Sequence, residues 1–104
     1  MGMFSMFGND INKGVQEWRD TEGAVLLDVR NPEEYAQGHI PGIVNLPLPN
    51  ISQIASVVPS KDTPLFVHCL SGARSGQAVS YLKGEGYNAK NIGGINGYKG
   101  EIAR

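Results

Sequence analysis

Apolar positions along the chain fall into short blocks separated by glycine, proline and charged residues. Ala24-Val25-Leu26-Leu27-Asp28-Val29 is a near-continuous apolar run of strand length, and Leu65-Phe66-Val67-His68 is a second. Runs of this kind suit strands buried on both faces, as in a parallel sheet. Ile43–Leu46 and Ala89–Ile92 are shorter strand candidates. Helical spacing fills the intervals. Asn9–Asp20 reads as a short extended piece entering a helix, with Val15 and Trp18 on one face. Asn31-Pro32-Glu33-Glu34 predicts a helix start, with Asn31 as N-cap, Pro32 in first position and Glu34 closing a capping box. That helix should stop near Gly38. Asn50 and Gln53 repeat the pattern ahead of Ile51, Ile54 and Val58, with Pro59 closing the helix. Ser75–Lys83 carries Ala78, Val79 and Leu82 at helical spacing, up to Gly84 or Gly86. Strands alternating with helices predict an α/β domain: a central, mainly parallel sheet of about five short strands with helices on both faces. Sites in such sheets form where loops leave the carboxyl ends of strands.

Length and charge narrow the function. The 104 residues fit one domain, expected over residues 9–104 after a flexible segment 1–8. Nine Lys and Arg against ten Asp and Glu leave a net charge of −1, without the basic footprint a nucleic-acid binder needs. Met1–Phe7 is apolar but too short for a secretion signal or a membrane span, so no membrane partner is expected and a cytoplasmic location is the default. The single cysteine, Cys69, has no second thiol for an internal disulfide, and two histidines elsewhere make no metal-ligand cluster. A free cysteine is commonly buried and inert. Its neighbours decide otherwise here.

Cys69-Leu70-Ser71-Gly72-Ala73-Arg74-Ser75 joins a buried strand to a helix. A loop so placed can turn several backbone N–H groups inward as an anion nest. Such a nest favours the thiolate, the nucleophilic form of cysteine. Gly72 permits a positive φ or a close approach. Arg74 adds a permanent forked cation for an anionic substrate. A cation at a helix start opposes the helix dipole, which favours an anion-binding role over an idle surface charge. Leu70 and Ala73 are apolar, so the rim carries one fixed charge and modest affinity for a small dianion is expected.

The loop resembles the Cys-x-x-Gly-x-Arg active-site loop of single-domain rhodaneses. The likeness continues elsewhere. Leu27-Asp28-Val29-Arg30 with Pro32-Glu33-Glu34-Tyr35 is similar to the family's first conserved segment, and Gly38-His39-Ile40-Pro41-Gly42 with Asn45-Leu46-Pro47 to its next. Gly93-Gly94-Ile95-Asn96-Gly97-Tyr98 resembles the closing motif, with Tyr98 where Trp is common. Together these motifs cover most of residues 10 to 100 in order. The resemblance implies a rhodanese-like fold and a two-step sulfur transfer through a Cys69 persulfide. A donor such as thiosulfate or a persulfide would load Cys69, and cyanide, a thiol or a sulfur-relay protein would unload it. No cofactor or metal is implied. Leu70, Ser71, Gly72, Ala73, Arg74 and Ser75 would form the substrate loop, with Asp28, Arg30 and His39 in support.

Blander readings stand beside these. Ser75 is as well suited to capping the following helix as to touching a bound anion. His68 should face away from Cys69 in an alternating strand and be packed and hydrogen-bonded. His39 is expected to hold its turn-rich segment. Arg30 is expected to pair with Glu33 or Glu34, leaving Asp28 to order the neighbouring loop. Trp18 and Tyr98 read as core or rim aromatics. Two other functions compete. A dual-specificity phosphatase needs Cys-x5-Arg, whereas Arg74 gives Cys-x4-Arg and so a smaller cradle. A non-catalytic binding module or a persulfide carrier uses the same frame with a different partner.

Overall fold

A computed structural model describes residues 10–104. The expectations for Met1–Phe7 and for a flexible segment 1–8 fall outside the described residues. Among the described residues four parallel strands form the sheet, in place of the five or so expected: β1 (Val25–Asp28), β2 (Val44–Asn45), β3 (Pro64–Cys69) and β4 (Asn88–Gly94), in spatial order β2-β1-β3-β4. The helices are α1 (Ile11–Asp20), α2 (Pro32–Gln37), α3 (Ile54–Val57) and α4 (Ala73–Gly84).

Each helix start has a local cause. Asp10 caps α1 by accepting from the Asn12 N–H. The Asn31–Glu34 capping box and Pro32 start α2, and Gly38 ends it. The second expected cap, at Asn50, does not form. The tighter helix Leu48–Gln53 begins earlier, behind Pro47, and runs into α3 without a side-chain cap. Pro47 at the cap position has no side-chain acceptor, and Pro49 in the first turn has no N–H for one to satisfy.

Alternation along the central strands feeds two cores. Leu27, Leu65, Val67 and Cys69 face α3 and α4, meeting Ile54, Ala78, Val79 and Leu82. Leu26 and Phe66 face the other way, against Ile11 and Val15 of α1 and Ile92, with Trp18, Tyr35 and Tyr98 partly buried around them. Gly14 of α1 lets that helix lie directly on Ile92, since a Cβ there would overlap the Ile92 side chain.

The topology selects one end of the sheet. The chain leaves β1 towards β2 on one side and β3 towards β4 on the other. Loops from the carboxyl ends of β1 and β3 therefore diverge and leave a crevice between them. Cys69 is the last residue of β3, at this switch point.

Candidate active site

Cys69 is 1% exposed, at the floor of the loop that follows it. Gly72 adopts φ +107° and is the N-cap residue of α4, which turns the loop back over the sulfur. The Gly72 N–H donates to Cys69 Sγ at 3.0 Å. The Ser75 hydroxyl lies 3.4 Å from the same sulfur. Burial pushes the Cys69 thiol up, but hydrogen bonds from the Ser75 hydroxyl and from the N–H groups of Ser75, Gly72 and Ser71 outweigh it. The thiol ends below its ordinary value, so the loop favours the thiolate.

Ser75 is not the helix cap. Gly72 holds that position, and Ser75 lies fully buried in the first turn. Its hydroxyl is 2.8 Å from Asn91 Oδ1 and 3.1 Å from the Gly72 carbonyl. It has one proton to give, so sulfur, amide and carbonyl compete for it.

Two residues that the sequence reading passed over hold this arrangement. In β4, Asn91 pairs with Val67 and Gly93 with His68, so Ile92 is an extra residue that bulges the strand. Asn91 fills the bulge, its Oδ1 accepting from the Gly93 N–H at 2.9 Å while its Nδ2 donates to the Gly72 carbonyl at 3.1 Å. One amide thus ties β4, the loop and Ser75 together. Gly94 is the second. A Cβ at Gly94 would overlap the Leu70 carbonyl and lie 2.5 Å from Ser71 Cα. The Asn96 N–H also donates to the Leu70 carbonyl, at 3.1 Å. The Gly93-Gly94 doublet was the available signal for this close approach.

Arg74 does not stand alone on the rim. Its guanidinium is forked onto Glu34 of α2, at 2.7 and 3.0 Å. The Arg74 hydrogen bonds, opposed by modest burial, pull the Glu34 carboxyl down to about 2, so it is ionised at neutral pH. Glu34 meanwhile accepts from the Asn31 N–H, completing the cap of α2. Leu70 is exposed, as are Ser71 and Ala73.

Asp28 and Arg30 pair with each other, which corrects the expectation that Arg30 meets Glu33 or Glu34. Arg30 Nη2 lies 2.7 Å from Asp28 Oδ2, and Nε lies 3.0 Å from Oδ1. Both residues are buried. The Arg30 N–H also donates to Oδ1, and Nη2 donates to the Gly38 carbonyl at 2.8 Å. Asn45 Nδ2 donates to the carbonyls of Asp28 and Arg30, fixing the exit of β1. His39 stacks on Tyr35 with ring centroids 3.9 Å apart and shares a hydrogen bond with the Tyr35 carbonyl. Its backbone bridges Ala103 in both directions, so it pins the chain's last residues to the turn. His68 is fully buried and faces away from Cys69's core; its Nδ1 lies 2.9 Å from the Cys69 carbonyl, and its Nε2 has no partner among the described residues. Burial depresses its basicity, opposed by Asp28, so the ring is neutral and donates through Nδ1.

A small buried thiol surrounded by N–H donors on a strand-to-helix loop can bear an anionic sulfur. Comparison with known proteins places this geometry. The family model for the rhodanese-like domain matches residues 12–101. The chain belongs to the rhodanese-like domain family. A sulfurtransferase of Allochromatium vinosum is 46% identical over 72 residues, covering 69% of this chain and 66% of that protein. The thiosulfate sulfurtransferase PspE of Escherichia coli is 42% identical over 71 residues, covering 66% of this chain and 68% of its own length. Each match thus spans about two thirds of the relative. A solved rhodanese with anions from E. coli superposes with a TM-score of 0.73 at 36% identity, covering 78% of this chain and 98% of the other. The sheet is parallel and flanked by helices, and Leu70–Gly72 link Cys69 at the end of its third strand to α4.

Proposed function

We propose that this protein is a sulfurtransferase whose Cys69 carries a sulfane sulfur as a persulfide. One observation carries the reading: Gly72 N–H and the Ser75 hydroxyl converge on Cys69 Sγ at the foot of a helix and lower its proton affinity. The names of the sulfurtransferase relatives support the same class of chemistry.

The reaction has two displacements. The Cys69 thiolate attacks the outer sulfur of thiosulfate. The new Cys69 S–S bond forms as the old S–S bond breaks, and its electron pair departs with sulfite. Cyanide or a thiolate then attacks the outer sulfur of the persulfide, and the electron pair returns to Cys69. Neither step consumes a cofactor or a metal. The N–H groups of Leu70 to Ser75 stabilise negative charge on the outer sulfur, in the manner of an oxyanion hole. Gly72 supplies the turn and Arg74 the cation, while Leu70 and Ala73 border the opening. Asp28, Arg30 and His39 act as supports. A persulfide of a relay protein would use the same two steps.

The test is thiocyanate formation from thiosulfate and cyanide by the purified chain, with Cys69→Ser as control. Turnover should be measurable and vanish in the variant. Absence of turnover, together with absence of a Cys69 persulfide after exposure to thiosulfate or to a small-molecule persulfide, would refute the reading.

A further inference from the structure

We infer that Glu34 is a specificity residue, turning the Cys69 site away from free dianionic sulfur donors and towards persulfides borne on an uncharged carrier; this rests on the sulfur-transfer reading above. The rim's cation is already occupied. Arg74 gives one N–H from each Nη to the Glu34 carboxylate, 40 residues away in the chain, at 2.7 and 3.0 Å. Beside the loop opens a hollow of about 300 Å³ lined by Arg30, Glu34, Gln37, Gly38, Leu70 and Ile102. Its own arginine, Arg30, is likewise matched, by buried Asp28. Arg104 is exposed and donates to the Gln37 carbonyl. An incoming donor therefore meets the Glu34 carboxylate with Arg74 closed upon it, next to apolar Leu70 and Ile102, with the exposed Arg104 guanidinium at the Gln37 edge.

Charge complementarity then ranks the donors. Thiosulfate brings two negative charges past the Glu34 carboxylate and meets in Arg74 a cation whose charge that carboxylate already offsets. A persulfide on an uncharged peptide or ester brings less charge past that carboxylate, and its carrier can rest on the apolar side of the hollow. Selectivity here is a difference between two affinities, and the resident carboxylate supplies the repulsive half. Glu34 does not touch the reacting sulfur. It acts through Arg74 as a positioning residue.

The test is Glu34→Gln, which removes the charge and retains an acceptor for the Asn31 N–H. The pair is a quarter to a third exposed, so the fold should survive its loss. Two reagents of nearly equal size, anionic iodoacetate and neutral iodoacetamide, are compared in their rates of Cys69 alkylation. Glu33→Gln changes the same formal charge one residue away and serves as control. Glu34→Gln should raise the iodoacetate-to-iodoacetamide rate ratio about fivefold and lower KM for thiosulfate by a similar factor, as expected for one charge lost near a partly screened site. Its kcat, and its kcat/KM for the persulfide of N-acetylcysteine methyl ester, should change less than about twofold. An unchanged ratio, or an equal rise in Glu33→Gln, would overturn the inference. The alkylation arm involves no sulfur transfer. A shifted ratio in a protein that transfers no sulfur would therefore sink the sulfur-transfer reading and leave the charge filter, whereas transfer with an unshifted ratio would do the reverse.

Discussion

The two loops that leave β1 and β3 start side by side and solve opposite problems. The β1 exit closes on itself. Asp28 takes three donors from Arg30, Arg30 also reaches the Gly38 carbonyl, and Asn45 binds the carbonyls on either side. Side chains satisfy side chains there, and the charge is buried. The β3 exit is left open. Its donors to the sulfur come mainly from the backbone, and they point at an atom that can accept a further sulfur. The difference shows how one end of a parallel sheet can be both anchor and site: the polar capacity of one loop is saturated, and that of its neighbour is held in reserve.

Breaking the anchor should have the largest effect. Asp28→Ala leaves the Arg30 guanidinium buried without its carboxylate. Removing one partner of a buried ion pair costs about 3–5 kcal/mol, a large share of the roughly 5–15 kcal/mol that holds a domain together. Urea unfolding should show that loss. The alkylation rate of Cys69 in the protein that remains native should stay within about twofold of the parent, because no Asp28 atom bonds the sulfur. A small loss of stability with a large loss of Cys69 reactivity would mean that the two loops are not separate in function.

Gly94→Ala tests the converse and should have the next largest effect. The added methyl would overlap the Leu70 carbonyl, and backbone on both sides gives it nowhere to turn. Overpacking of this kind costs about 1–3 kcal/mol. Its main consequence should be on chemistry, since displacement of the loop misdirects every donor aimed at Sγ. Thiocyanate formation should fall by about tenfold or more. Activity near the parental level would show that the loop is not positioned by its contact with β4.

These two predictions separate what was legible in the chain from what was not. Strands β1 and β3, the Asn31–Glu34 capping box and the placement of Cys69 at a strand end all follow from residues within a few positions of one another. The Asp28–Arg30 pair was also within reach of such reading. Residues i and i+2 of an extended segment project to the same face, whereas Glu33 and Glu34 lie beyond a helix start that is busy with its own cap. The rest depends on distant segments. Glu34 meets Arg74 across 40 residues and Asn91 meets Ser75 across 16. Gly94 owes its identity to a loop more than 20 positions earlier. Local spacing carries no signal for which carboxylate an arginine will find, nor for a bulge at Ile92 that aims Asn91 at the loop.

Within the open loop itself, Ser75→Ala is the finest cut and should have the smallest effect. The methyl variant keeps the fold of α4, because Gly72 and not Ser75 occupies the cap. Asn91 Oδ1 retains the Gly93 N–H. What disappears is the Ser75 hydroxyl's donation to sulfur, while the N–H groups of Gly72, Ser71 and Ser75 remain. A hydrogen bond of this type contributes about 0.5–1.5 kcal/mol, so Cys69 alkylation by iodoacetamide at neutral pH should slow by roughly two- to tenfold. The sign follows from the thiolate. A donor to the charged form lowers the thiol's proton affinity, so its removal moves the alkylation profile to higher pH and towards the ordinary thiol value of 9.0. At pH well above that value the two proteins should react alike, since both are then fully ionised. A rate deficit that persists at high pH would assign Ser75 to access or geometry, and a profile that does not move would leave the backbone N–H groups as the whole basis of the low thiol pKa.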